Sequence, residues 1–101
     1  MNIQCPPARN ASVAVVGAGD YIGAAIARRF AREGYVVQCG RRNGDKLVPL
    51  VAEIEAAGGT CIGRTLDARD EQAVAQFMRD ADAVAPLEVA VFNIGANGNF
   101  P

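Results

Sequence analysis

The stretch Ser12-Val13-Ala14-Val15-Val16-Gly17-Ala18-Gly19-Asp20-Tyr21-Ile22-Gly23 decides how the rest of this chain is read. Five residues of mostly valine and alanine, with no polar side chain beyond Ser12, suit a strand covered on both faces. Three glycines then fall within seven residues, at Gly17, Gly19 and Gly23. Downstream, Ile22, Ala25, Ile26 and Phe30 recur at helical spacing, with Arg28, Arg29 and Arg32 interleaved, until Gly34 stops the helix. The chain therefore passes from strand to helix through a turn that glycine makes unusually open.

The same alternation continues outward. Tyr35 to Cys39 reads as a second strand, and Leu47, Leu50, Val51 and Ile54 give a second helix by their i, i+3, i+4, i+7 spacing. Pro49 is tolerated only in the first turn of that helix, and Gly58-Gly59 ends it. Thr60 to Leu66 is a third strand. Asp70 is placed to cap a third helix carrying Val74, Phe77, Met78 and Ala81. After Pro86, Leu87 to Phe92 reads as a fourth buried apolar strand, followed by a loop from Asn93 to Pro101. The order βαβαβαβ predicts an α/β, Rossmann-like fold: a parallel sheet with helices on both faces, part of a doubly wound domain. Residues 1–11 are expected to form a leader, and residues 12–101 the front part of that domain.

Composition narrows the partners. Half of the 101 residues are apolar, and the formal net charge is −1 from ten basic and eleven acidic residues. No cationic excess is present to neutralise a nucleic-acid backbone. No apolar run approaches the ~20 residues of a membrane span, and the first ten residues lack the pattern of a signal peptide. A cytoplasmic protein, with no nucleic acid and no membrane among its partners, is the expectation. Cys5, Cys39 and Cys61 are odd in number and widely spaced, which suits buried reduced thiols rather than disulfides or a metal site. No metal ligand set is expected.

The glycine turn carries the chemistry. Small residues there let backbone approach a pyrophosphate, and the helix that follows offers unpaired N–H groups and the positive end of its dipole. The glycines fall as GxGxxxG, so Ile22 holds the third place of the common fingerprint, and a tight turn with no ligand is the plain alternative. At the tip of the second strand an acid suits the free ribose of NAD, and arginine suits the 2′-phosphate of NADP. This chain has Gly40-Arg41-Arg42 there and no acid until Asp45. A guanidinium can grip a phosphate with two parallel hydrogen bonds, so charge leans toward NADP over NAD. A solvated basic turn is the competing reading.

With these pieces in order, the chain resembles the short-chain dehydrogenase/reductase family. Gly17 and Gly23 match the first and last glycines of that family's Gly-x-x-x-Gly-x-Gly loop, and Tyr21 stands where its middle glycine is expected. Leu66-Asp67-Ala68 resembles the segment whose Asp contacts adenine. Phe92-Asn93-Ile94-Gly95 resembles the Asn-Asn-Ala-Gly motif, with Asn93 and Gly95 matching. Arg41 falls where NADP-preferring members place arginine, whereas Asp20 stands where those members often carry a basic residue. The resemblance thus implies a cofactor site of Gly17, Gly19, Asp20, Tyr21, Ile22, Gly23, Arg41, Arg42, Asp67, Ala68, Asn93, Ile94 and Gly95. It also implies hydride transfer between a nicotinamide cofactor and a carbonyl or alcohol. The family's general acid/base is a tyrosine with a lysine four residues on. Here the tyrosines are Tyr21 and Tyr35, followed at that spacing by Ala25 and Cys39, and the only lysine is Lys46.

No catalytic residue is therefore assigned, and the chain is expected to be inactive alone, as the cofactor-holding part of a longer enzyme. A non-catalytic sensor of the cofactor, or an interaction module, is the alternative. The fourth strand is expected to present a free edge through which copies self-associate.

Overall fold

The structure, a computed structural model, describes residues 9–17 and 21–93. The strands are β1 (Ser12–Val16), β2 (Val36–Arg41), β3 (Thr60–Thr65) and β4 (Leu87–Phe92). The helices are α1 (Tyr21–Arg32), α2 (Val48–Ala56) and α3 (Glu71–Val84). All pairings are parallel and the strand order is β3-β2-β1-β4. The chain thus builds outward from β1 on one side, then crosses back to place β4 on the other. That reversal next to β1 is the topological switch point, where ligands of open α/β sheets bind beyond the carboxyl ends of the strands.

Alternation along β1 divides the core into two layers. Val13 and Val15 pack with Ala27, Ala31, Leu50 and Ile54, so α1 and α2 cover one face. Ala14 and Val16 pack with Leu66 and Phe77, so α3 covers the other. Every β1 residue is buried, as a strand with helices on both faces requires. Ser12, the one polar residue in that strand, lies within hydrogen-bond reach of the Ala81 and Ala85 carbonyls at the end of α3 (3.0 and 2.7 Å). Its hydroxyl ties sheet to helix and leaves no donor unmade.

Three readings of the sequence need correction. In α1 the buried positions are Gly23, Ala27 and Ala31, while Ile22 and Ala25 are exposed. Small side chains, four residues apart, face the sheet and let the helix sit close to it. Larger ones such as Ile26 and Phe30 flank that contact. β4 is not buried: its residues alternate half-buried and exposed, because α3 covers little of it and its outer edge has no neighbour among the described residues. β2 also extends through Gly40 to Arg41, two residues beyond the expected end. A short 3-10 turn at Gly44–Leu47 precedes α2, which places Pro49 in its first turn, where a missing N–H costs nothing.

Cys39 and Cys61 are buried and free, their sulfurs 3.8 Å apart across β2 and β3. Contact with Cys61 and burial push the Cys39 thiol up, so it stays protonated. Cys5 lies outside the described residues. No helix among the described residues is long and apolar enough to cross a membrane.

Gln38 is fully buried in β2, and neither end of its amide has a partner among the described residues. An unsatisfied buried amide costs about 1–3 kcal/mol. Gln38→Met, similar in volume and apolar, should therefore raise the urea midpoint, with a gain of about 1 kcal/mol. An unchanged or lower midpoint would mean that the amide is satisfied in solution.

Candidate functional site

The carboxyl ends of β1, β2 and β4 meet at Gly17. Its N–H donates to the Gly40 carbonyl at 2.8 Å, and its own carbonyl accepts from Asn93 Nδ2 at 3.2 Å. Asn93 N–H in turn donates to the Val16 carbonyl at 2.8 Å. Gly17 holds φ at 87°, in the left-handed region that side chains disfavour. A residue with a Cβ there would strain the backbone by about 1–2 kcal/mol. The strand therefore ends at a glycine held by hydrogen bonds on both of its backbone groups.

α1 opens at Tyr21 with no carboxylate in its first turn. Its leading N–H groups have no partners within the helix, and they sit at the positive end of its dipole. Tyr21 is 89% exposed and Ile22 is also exposed, whereas Gly23 is buried. The Tyr21 ring thus stands in solvent at the helix start, and Gly23 is the glycine that lies in the packing. Gly19 and Asp20, and likewise Ile94 and Gly95, lie outside the described residues.

The neighbouring ends of β2 and β3 form a second wall. Leu66 N–H donates to the Arg41 carbonyl at 2.8 Å, so the loops leaving these strands run side by side. Gly44 N–H donates to Thr65 Oγ1 at 3.2 Å, which pins the loop after β2 to the end of β3. A Cβ on Gly44 would stand 2.8 Å from the Thr65 backbone nitrogen, so glycine is required for this close approach. Arg41 is half-buried at the end of β2, and Arg42 is exposed just past it. Ala68 is half-buried against the α3 layer.

Asp67 is engaged by its own loop. Arg69 donates from Nε to Oδ1 (3.1 Å) and from Nη2 to Oδ2 (3.2 Å), and the Arg69 backbone N–H adds a third bond at 2.9 Å. These bonds, the guanidinium first, hold the Asp67 carboxyl down at about 2, and the charge of Arg42 adds to the effect. Asp70 caps α3 as expected, accepting from the N–H groups of Gln72 and Ala73. Its Oδ1 is thereby engaged at the start of α3.

The structure thus gathers Gly17, Asn93 and the start of α1 at one corner, and Arg41, Arg42 and Asp67 at the next. Sequence reading missed two participants. Gly40 supplies the carbonyl that fixes Gly17, and a Cβ on it would meet Leu66 Cδ2 at 2.8 Å and Phe77 Cε1 at 3.4 Å. A glycine inside a strand was the available signal. Arg69 is the other, and no spacing rule singles out an arginine two residues after an aspartate.

Comparison with known proteins now decides the family. The family model for short chain dehydrogenase matches residues 11–101. The chain belongs to the short-chain dehydrogenase family. It is 33% identical over 92 residues to the ketoacyl reductase HetN of Nostoc, covering 88% of this chain and 32% of that protein. A crystal structure of a short-chain dehydrogenase from Rhodopseudomonas palustris matches with TM-score 0.88 and 68% identity, over 92% of this chain and 44% of that one. An actinorhodin polyketide ketoreductase variant, solved with NADPH, matches with TM-score 0.79 and 31% identity, over 87% of this chain and 35% of that one. The chain spans about a third of the length of the curated relatives it matches.

The Asp67 geometry gives a pH test. A depressed carboxyl contributes to the folded loop above its unfolded value near ~3.9, and the contribution fades as pH falls through about 2. Carboxyl-carbon NMR should show Asp67 ionised down to about pH 2. Arg69→Ala should return its midpoint toward the ordinary range; a midpoint unmoved by that substitution would contradict the contact.

Proposed function

We propose that this chain holds a nicotinamide dinucleotide, NADP(H) in preference to NAD(H), in the crevice beyond the carboxyl ends of β1 and β4. The observation that carries the reading is the Gly17 turn, fixed at positive φ between the Gly40 carbonyl and the Asn93 amide. A glycine so held, with amides at the start of α1 that have no partner within the helix, suits a pyrophosphate. The residues fit the group: no carboxylate occupies the first turn of α1 to oppose an anion.

The roles follow from position. Gly17, Gly19 and the amides of Tyr21, Ile22 and Gly23 would receive the pyrophosphate, with Asp20 beside them. Arg41 and Arg42 would meet the adenine-ribose and its 2′-phosphate, and Asp67 and Ala68 would border the adenine. Asn93, Ile94 and Gly95 would line the side toward the nicotinamide. The bound cofactor would supply a hydride, exchanged with a carbonyl or alcohol carbon. None of the described residues is assigned to move the accompanying proton, since the chain contains no Tyr-x-x-x-Lys. Its contribution to such an oxidoreductase is binding and orientation. Support comes from membership in a family of dehydrogenases and from the ketoreductase solved with NADPH.

Fluorescence titration of the chain with NADPH and NADH tests this. Saturable binding of NADPH, tighter than NADH, is the expected result, and Gly17→Val should abolish it while circular dichroism still reports a folded chain. Binding that Gly17→Val leaves intact would place the nucleotide elsewhere. No binding of either cofactor would leave the crevice without its ligand.

A further inference from the structure

We infer that Arg69 is a specificity-determining residue: a third guanidinium, held in place by Asp67, that pairs with the 2′-phosphate of NADP(H). The inference rests on the dinucleotide reading above and adds to it a residue that the tip of β2 does not contain.

The placement comes from the pairing of β2 and β3. The hydrogen bond from Leu66 N–H to the Arg41 carbonyl aligns the two strand ends, and the Gly44–Thr65 bond keeps the following loops together. Asp67 is close enough to Arg42 to feel its charge. Arg69 is clamped to the same carboxylate, in the loop that leaves β3 next to the end of β2. The charges of Arg42 and Arg69 thus both act on the Asp67 carboxylate, beside the strand end that carries Arg41. Asp70 is turned away into the cap of α3.

The clamp also prepares Arg69 for an anion. A guanidinium carries five N–H donors in a flat fork. Asp67 engages Nε and Nη2, and Nη1 makes no contact among the described residues. The side chain is 75% exposed, so its unused edge faces solvent. An arginine already fixed in one rotamer loses less entropy on gripping a ligand than a free one. A doubly charged phosphate takes several donors at once, whereas the neutral hydroxyl of NAD takes one. Arg69 thus discriminates by charge, and Asp67 supports it as a positioning residue while bordering the adenine.

The experiment is a titration of the wild-type chain and of Arg69→Ala and Arg69→Lys with NADPH and with NADH. Arg69 is exposed, so both variants should fold, as circular dichroism will report. Arg69→Ala should weaken NADPH about tenfold, the size of a lost charge-assisted hydrogen bond, and NADH less than twofold. Arg69→Lys should recover part of the NADPH affinity, because charge remains without the fork. An equal loss for both cofactors would mean that Arg69 acts on the adenine, and no loss would make it a solvated turn residue; either result overturns the inference while the dinucleotide reading stands. A wild-type chain that binds neither cofactor overturns the reading beneath it, and the inference with it.

Discussion

Three hydrogen bonds around Gly17 and Asn93 organise one end of this molecule. The Gly17 amide reaches sideways to β2, its carbonyl receives the Asn93 side chain, and the Asn93 amide reaches back to Val16. Together they fix where β1 stops, keep β4 in register beside it, and force a backbone angle that glycine adopts without strain. Every feature proposed for the crevice depends on that constraint.

The second wall is held by a different device. Strand pairing sets Arg41 beside Leu66, and the Thr65 hydroxyl holds the turn that follows. The charges arrive there as a consequence of backbone register. Electrostatics alone would spread three guanidiniums apart. Asp67 lowers that repulsion at the cost of two of Arg69's donors. The two walls thus differ in kind: backbone groups fix the first, and basic side chains mark the second.

Much of the fold was legible in the sequence because its signals are local. The valine run at Ser12–Val16, the glycines ending two helices and the Asp70 cap each have a short-range cause, and each is found in place. Errors arose where neighbours decide. Ile22 looks like a core residue by spacing, yet close packing of α1 against the sheet selects Gly23, Ala27 and Ala31 instead. The β4 sequence reads as buried, but burial depends on which helices lie over it. In the candidate site, motif order singled out Gly17, Asn93 and Asp67, which lie at the strand ends. Gly40 and Arg69 were not singled out, since their importance comes from contacts across strands or within an irregular loop, which no periodicity encodes.

The claim at the centre is that phosphate lodges against the start of α1, beside the Gly17 turn. Amide NMR of the labelled chain, recorded as NADPH is added, addresses it residue by residue. The largest shifts are expected at Gly17, at Tyr21 to Gly23 and at Asn93, with a second group at Arg41, Arg42 and Asp67. Saturable shifts confined to other surfaces, such as the cleft between α1 and α2 lined by Arg28, Arg32 and Glu53, would contradict it.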